Sequence, residues 1–279
     1  MKLGYSNYGM RQIDIFESLE RVRSIGYEAM EVCSRDGWQT AAVDFDMSSR
    51  RRLVASLKEL NLPPPPVIDG ISILAMATAD AHSGIIQRAR NTLRLVADLN
   101  FGYEPGLLTT TVGVSTGPTS WDSCKEIIRD GCLELADLAA DFGVIVCVEA
   151  HAGFALATPT QTKWLMENTG HDNLKVDCDV SHFVTQSIDM NESVELLAPW
   201  SALTHIKDGH IVDGEIRFLL PGDGNMDLSD FVRSAVTNNL PEPIYVEVTR
   251  QISEKSGYDA WGTAEYCYRK LDDARVKAK

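Results

Sequence analysis

The chain has 279 residues, 44% of them apolar, enough for a large core that needs no disulfide or metal staples. Its formal charge of −14 excludes a partner dominated by nucleic-acid phosphate, and the one dense basic run, Arg50-Arg51-Arg52, reads as a solvated helix face. No CxxC pair occurs among the six cysteines, no run of about 18 apolar residues could cross a membrane, and the first residues lack a signal-peptide stretch, so a soluble cytoplasmic protein is expected.

Runs rich in β-branched and aromatic residues predict strands over 3–7, 29–34, 66–73, 107–114, 144–150, 174–180, 202–207 and 243–249. After the second, SSRRRLVASLKELN predicts a helix with Ser at its start, Leu53, Leu57 and Leu60 on one face, and Asn61 at its stop. The PPPP run (63–66) reads as a stiff connector into the third strand. After the fourth strand, SWDSCKEIIRDGCLELADLAADFG predicts a long amphipathic helix ending at Gly143. After the fifth, ATPTQTKWLMENTG places Thr158 at the N-cap, Pro159 at the first helical position and Gly170 just past the end. Eight strands roughly 25–40 residues apart suit a (β/α)8 TIM barrel, one domain over 1–279. An open doubly wound sheet would favour an early Gly-rich phosphate turn, whereas GPTS (117–120) and PGDG (221–224) are turns without that context.

Polar residues fall where apolar ones are expected. Residues 174–183 read LKVDCDVSHF, although aspartate is depleted in strands and a buried charge is costly unless paired or metal-bound. The last four strands each end in a side chain able to hold a metal: Glu149, Asp177 or Asp179, His205 and Glu247. Parallel strands of a barrel bring those ends side by side, on the face where barrel enzymes keep their sites. Three carboxylates gathered there repel one another unless a divalent cation joins them. An oxygen-rich set with one imidazole favours Mn²⁺, Mg²⁺ or Co²⁺ over a thiolate-type Zn²⁺ site, and Mn²⁺ is the expected ion. Asp177 and Asp179 share a face; Asp179, nearer the strand end, is expected to be the ligand, and Asp177 to contact a ligand or Lys207 from deeper in the barrel.

The ordered set of VEAH at Glu149, DVSH with Asp179 and His182, HIKD at His205, PGDG, and YVEV at Glu247 resembles the sugar isomerase/epimerase superfamily with a xylose-isomerase-like barrel. The likeness runs from GYEAMEV (26–32) to the C-terminal helix. It implies that Glu149, Asp179, His205 and Glu247 hold one divalent metal and that His182 contacts a substrate oxygen. Its chemistry is ketose epimerisation or aldose–ketose isomerisation through an enediolate, with Glu149 and Glu247 as acid and base. His151 faces the same way as Glu149 and is either a further acid/base or substrate donor or a loop histidine. Arg217 is either a surface residue or a donor to a substrate hydroxyl or carboxylate, and Lys207 is counted with the substrate-binding groups.

The family's ketose 3-epimerases tend to carry a Glu six residues after the first ligand; Ala155 stands there instead, and Lys207-Asp208 resembles lyase-like relatives. A metal-dependent lyase acting on an oxo-sugar, an inosose-dehydratase or C-deglycosidase type of β-elimination, is therefore the alternative. The related abasic-site endonuclease is disfavoured, because its three-metal cluster needs more histidines than the six present and the charge of −14 repels DNA. The expected partner is a small carbohydrate, with no nucleic acid, no membrane and an oligomer as an open option.

Overall fold

The computed structural model describes residues 1–102, 105–113 and 120–278. Seven parallel strands run in chain order around a barrel: β1 (Leu3–Ser6), β2 (Ala29–Cys33), β3 (Val67–Ile68), β4 (Gly106–Thr111), β5 (Val144–Glu149), β6 (Leu174–Asp177) and β7 (Ser201–Ile206). An antiparallel hairpin, β8 (Asp208–Val212) and β9 (Glu215–Leu219), then leaves the wall before β10 (Ile244–Val246) closes it between β7 and β1. Around the barrel lie α1 (Ile15–Ile25), α2 (Met47–Glu59), α3 (Ala79–Leu99), α4 (Trp121–Ala140), α5 (Pro159–Thr169), α6 (Ser181–Thr185), α7 (Met190–Leu197), α8 (Leu228–Thr237), α9 (Arg250–Ser253) and α10 (Ala260–Lys277). This is the (β/α)8 barrel that the alternation predicts.

The strand period of two explains how the barrel positions its polar end. A small apolar cluster of Ala29, Cys147, Leu203 and Tyr245 packs together as one layer. Two residues further along the same strands stand Glu31, Glu149, His205 and Glu247, all buried. One turn of the pleat thus converts an apolar plug into a charged layer at the C-terminal ends. The main core lies outside the wall, where Leu3, Leu19, Leu53, Leu93, Leu135 and Phe231 join strands to helices.

Several local readings shift. The third strand keeps only Val67–Ile68, because the chain turns at Gly70 and winds into a 3-10 turn over Ile73–Ala77. The sixth stops at Asp177, where the backbone bends into α6 and the Asp179 side chain accepts the Ser181 amide at 3.0 Å. Helix α2 is capped by Asp46, not Ser48, through a 2.7 Å bond from the Ser49 amide. Arg50 is not solvated: it is buried, paired with Asp98 at 2.7 Å and bonded to the carbonyls of Phe45 and Ala42. Of GPTS, residues 117–119 lie outside the described residues. The hairpin of β8 and β9 was not among the predicted elements; Asp213 and Gly214 both take positive φ at its tip, as such tight turns require.

Helix α5 follows its sequence signals closely. Thr158 and Gln161 form a reciprocal capping box, Pro159 opens the helix and Gly170 ends it at φ 60°. Thr158→Ala removes one side of that box and is expected to lower stability by about 1 kcal/mol, read as a reduced midpoint in urea denaturation.

Candidate functional site

Lys207 extends from the end of β7 into a ring of carboxylates. Its ammonium bonds Asp179, lies 3.0 Å from Glu247 Oε2 and 3.4 Å from Glu149 Oε1, and all four groups are buried. Burial works against the lysine's charge, but Asp179, Glu247 and Glu149 together hold its pKa well above the ordinary value. The reciprocal effect governs the acids. Burial pushes Glu149 up, yet Lys207 and His182 outweigh it and hold the carboxyl well below the glutamate range. Glu247, also opposed by burial, is brought down to about 2 by Lys207 and His205.

His205 is oriented from behind. Its Nε2 donates to Glu31 Oε1 at 2.8 Å, because a carboxylate only accepts. That bond leaves Nδ1 facing the ring, 3.1 Å from Asp177 Oδ2 and 3.4 Å from Glu247 Oε2, without a hydrogen-bond partner. Asp177 also accepts from Thr109 Oγ1 at 2.6 Å, and burial raises its pKa. Asp177 therefore touches His205, one of the two kinds of contact expected of it.

One ligand atom from each of Glu149, Asp179, His205 and Glu247 lies within 4.8 Å of the others. The donors fit a divalent cation: three carboxylates, and an orphaned imidazole nitrogen whose partner nitrogen is fixed by a second carboxylate. Burial of the whole set gives it a low dielectric, so each charge here matters more than it would at the surface.

His182 and His151 stand over this ring. His182 accepts the Ala152 amide on Nδ1 at 3.3 Å, so Nε2 carries the proton toward Glu149 Oε1 at 3.1 Å. His151 donates through Nδ1 to the Ala152 carbonyl at 2.8 Å and stacks between Phe154 and His182, each ring centre 4.1 Å away. Phe218 of the hairpin meets His182 edge-on at 5.0 Å, with the Lys207 ammonium 5.6 Å from its ring centre. Gln251 fastens that hairpin, accepting the Phe218 amide at 3.0 Å and donating to the Ile216 carbonyl at 3.1 Å. Arg217 stands apart from the ring, exposed on β9 and bonded to Glu215.

Asp208, the last residue of HIKD, explains the PGDG turn. Its carboxylate accepts the backbone amides of Gly209, Gly222, Gly224, Asn225 and Met226 at 2.7–3.4 Å. Two sequence motifs thus meet as one loop anchor. Sequence reasoning missed Glu31 and Phe218. A lone Glu inside the apolar run AMEVC was the available signal for the first; nothing local marked the second.

Lys207→Met would leave three buried carboxylates without their ammonium. In EDTA-treated protein it is expected to lower stability by about 3–5 kcal/mol, measured by urea denaturation, with added Mn²⁺ recovering much of the loss. His151 gives a pH signature. Burial and His182 push it down to about 4 in the folded protein, against about 6.5 for a free imidazole. The unfolded chain binds more protons between those values, so the residue costs stability as pH falls through that window. His151→Gln should show a smaller drop in melting temperature than wild type between about pH 7 and about pH 5.

The family model for the xylose isomerase-like TIM barrel matches residues 19–269. No curated protein matches the sequence. Among solved structures, D-psicose 3-epimerase from Clostridium cellulolyticum, solved with D-tagatose, superposes with a TM-score of 0.78 at 17% identity, covering 100% of both chains. IOLI protein with a binding zinc atom gives 0.78 at 20% identity, covering 100% of this chain and 98% of that one. The probable 3-DHS dehydratase AsbF of Bacillus anthracis gives 0.77 at 17%, covering 98% and 99%. At these identities the superpositions establish fold, and the match over 19–269 establishes kinship: this chain belongs to the xylose isomerase-like TIM barrel family.

Proposed function

We propose that the chain is a divalent-metal-dependent isomerase or epimerase of ketose-type sugars, with Glu149, Asp179, His205 and Glu247 as ligands and Mn²⁺ as the preferred ion. The observation that carries this reading is the meeting of those four side chains within 4.8 Å around an unpartnered imidazole nitrogen. The cation, when bound, polarises a substrate carbonyl and its neighbouring hydroxyl, which makes the adjoining C–H bond acidic. Glu149 and Glu247 remain ionised across ordinary pH and so can accept that proton. They stand at the end of β5 and just after β10, which β6 and β7 separate in the wall, so one can withdraw a proton from one face of the carbon while the other returns one to the opposite face. Inversion at that carbon is the result. If one carboxylate carries the proton between neighbouring carbons, aldose–ketose isomerisation results.

The other residues have distinct tasks. His182, whose Nε2–H already points at Glu149, steers that carboxylate and donates to a substrate oxygen. Lys207 bonds the same carboxylates that hold the cation, so the two like charges compete for one place. A cation held by these carboxylates would replace the ammonium among them, which would leave Lys207 able to donate to substrate oxygens. Glu31 positions His205. Phe218 and His151 exclude water above the ring.

A lyase reading shares the proton withdrawal and then expels a leaving group. Ala155 at the position where ketose 3-epimerases tend to carry a Glu, and the dehydratase among proteins of the same fold, favour keeping it as the alternative. Metal analysis tests the ligand set: wild type is expected to hold one Mn²⁺ per chain, and Glu149→Gln, Asp179→Asn, His205→Asn and Glu247→Gln to lose at least about tenfold in affinity. Full occupancy in all four variants would defeat the assignment. Solvent deuterium entering a ketose at the carbon beside its carbonyl distinguishes the chemistries; its absence from every ketose, with elimination from an oxo-sugar, selects the lyase.

A further inference from the structure

At the end of the barrel that carries the acidic ring, the loops after β1, β2 and β3 meet around Arg35. Its Nη1 donates to Tyr8 Oη at 3.3 Å, and the guanidinium carbon lies 5.2 Å from the Tyr8 ring centre. The group lies over Gly70, where even a methyl carbon would come within 3.4 Å of Nε. Tyr8 is itself held by Trp38, stacked at 5.4 Å. Arg35 is half-buried, and a guanidinium whose Nε is cut off from water is best satisfied by a carboxylate. Among the described residues Arg35 has none: Asp36 and Asp69, the carboxylates of its own loop and the next, are both bound by Arg88 at 2.8 and 2.6 Å. Arg35 Nε is buried with no acceptor, and so is the Trp38 indole nitrogen.

Arg35 follows the C-terminal end of β2 by two residues, at the same end of the barrel as Glu31 and the acidic ring. Burial works against its charge, while Tyr8, Cys33, Glu247 and Glu149 raise its pKa above the ordinary value. A substrate whose carbonyl end sits at Glu149 and Glu247 can reach with its far end a cation to which, among the described residues, no carboxylate is bonded. We infer that Arg35 receives a carboxylate borne by the substrate, which makes the sugar an acid of the keto-uronate type and not a neutral ketose. This rests on the reading under Proposed function for the orientation of the substrate. A carboxylate fits one guanidinium fork with two parallel bonds. A phosphate dianion would meet repulsion from the same ring with a single cation to offset it.

Calorimetry with D-fructuronate, D-fructose and D-fructose 6-phosphate tests the pairing, in Mn²⁺-loaded and in EDTA-treated protein. Wild type is expected to bind the uronate at least about tenfold more tightly than fructose, the scale of a hydrogen-bonded charge. In Arg35→Gln that preference should vanish while the affinity for fructose stays the same, which also shows that the variant is folded. Arg35→Lys, keeping the charge without the fork, should recover part of it. Equal affinity for the three probes, no measurable binding of the uronate, tighter binding of the phosphate, or a preference that survives in Arg35→Gln each overturns the inference. Failure of wild type to take up Mn²⁺ would instead remove the proposed reaction, and the uronate preference in EDTA-treated protein would still decide the role of Arg35.

Discussion

Negative charge gathered in a buried place governs this molecule. Glu31, Glu149, Asp177, Asp179 and Glu247 all point into one end of the barrel with almost no contact with water. Two like charges about 4 Å apart at an effective dielectric near 20 repel by about 4 kcal/mol, so such a group survives only with positive charge among its members. Lys207 supplies it, and His205, two residues earlier and therefore on the same face, adds to it once its Nδ1 takes up the proton that Asp177 and Glu31 favour. The same strength of field that makes the ring costly suits it to a divalent ion, the role proposed for it. Structure and chemistry have one electrostatic origin here.

The barrel turns that field into defined geometry by stacking layers. The apolar residues Cys147, Leu203 and Tyr245 fill the space below, so Glu149, His205 and Glu247 directly above them cannot retreat into the wall. Glu31 fixes the tautomer of His205, and Asp208 gathers five backbone amides to seat the loop that follows the hairpin. Neither of these two carboxylates is among the four proposed ligands. Each sets the direction in which a neighbour presents its lone pairs or donors.

Much of this was legible before any coordinates. The eight wall strands announce themselves because β-branched runs alternate with capped amphipathic helices, as at Thr158-Pro159 and Gly170. The four gathered side chains are readable because a charge at the end of an apolar strand has few innocent explanations. Glu31 obeys the same logic in AMEVC, yet lies 118 residues before Glu149, and only barrel closure brings β2 opposite β7 and β10. The hairpin was missed although Asp213-Gly214 is a strong turn signal, since its strands are short and mostly exposed and carry no core periodicity. Arg50 was misjudged because neighbours in sequence share a charge but not a face: Arg51 and Arg52 are exposed while Arg50 turns inward to Asp98. Arg35 could not be read from sequence at all. Its interest lies in the partners it lacks, and a sequence does not record those.

Gln251 carries one more implication. By bonding an amide and a carbonyl of β9, its side chain imitates a neighbouring strand and ties the hairpin to the segment that follows β10. Because Glu247 lies only four residues before it, the ceiling and one wall of the chamber are hinged to the same stretch of chain. The hairpin then cannot swing alone while both bonds are kept: either the glutamine lets go, or ceiling and wall tilt as one body.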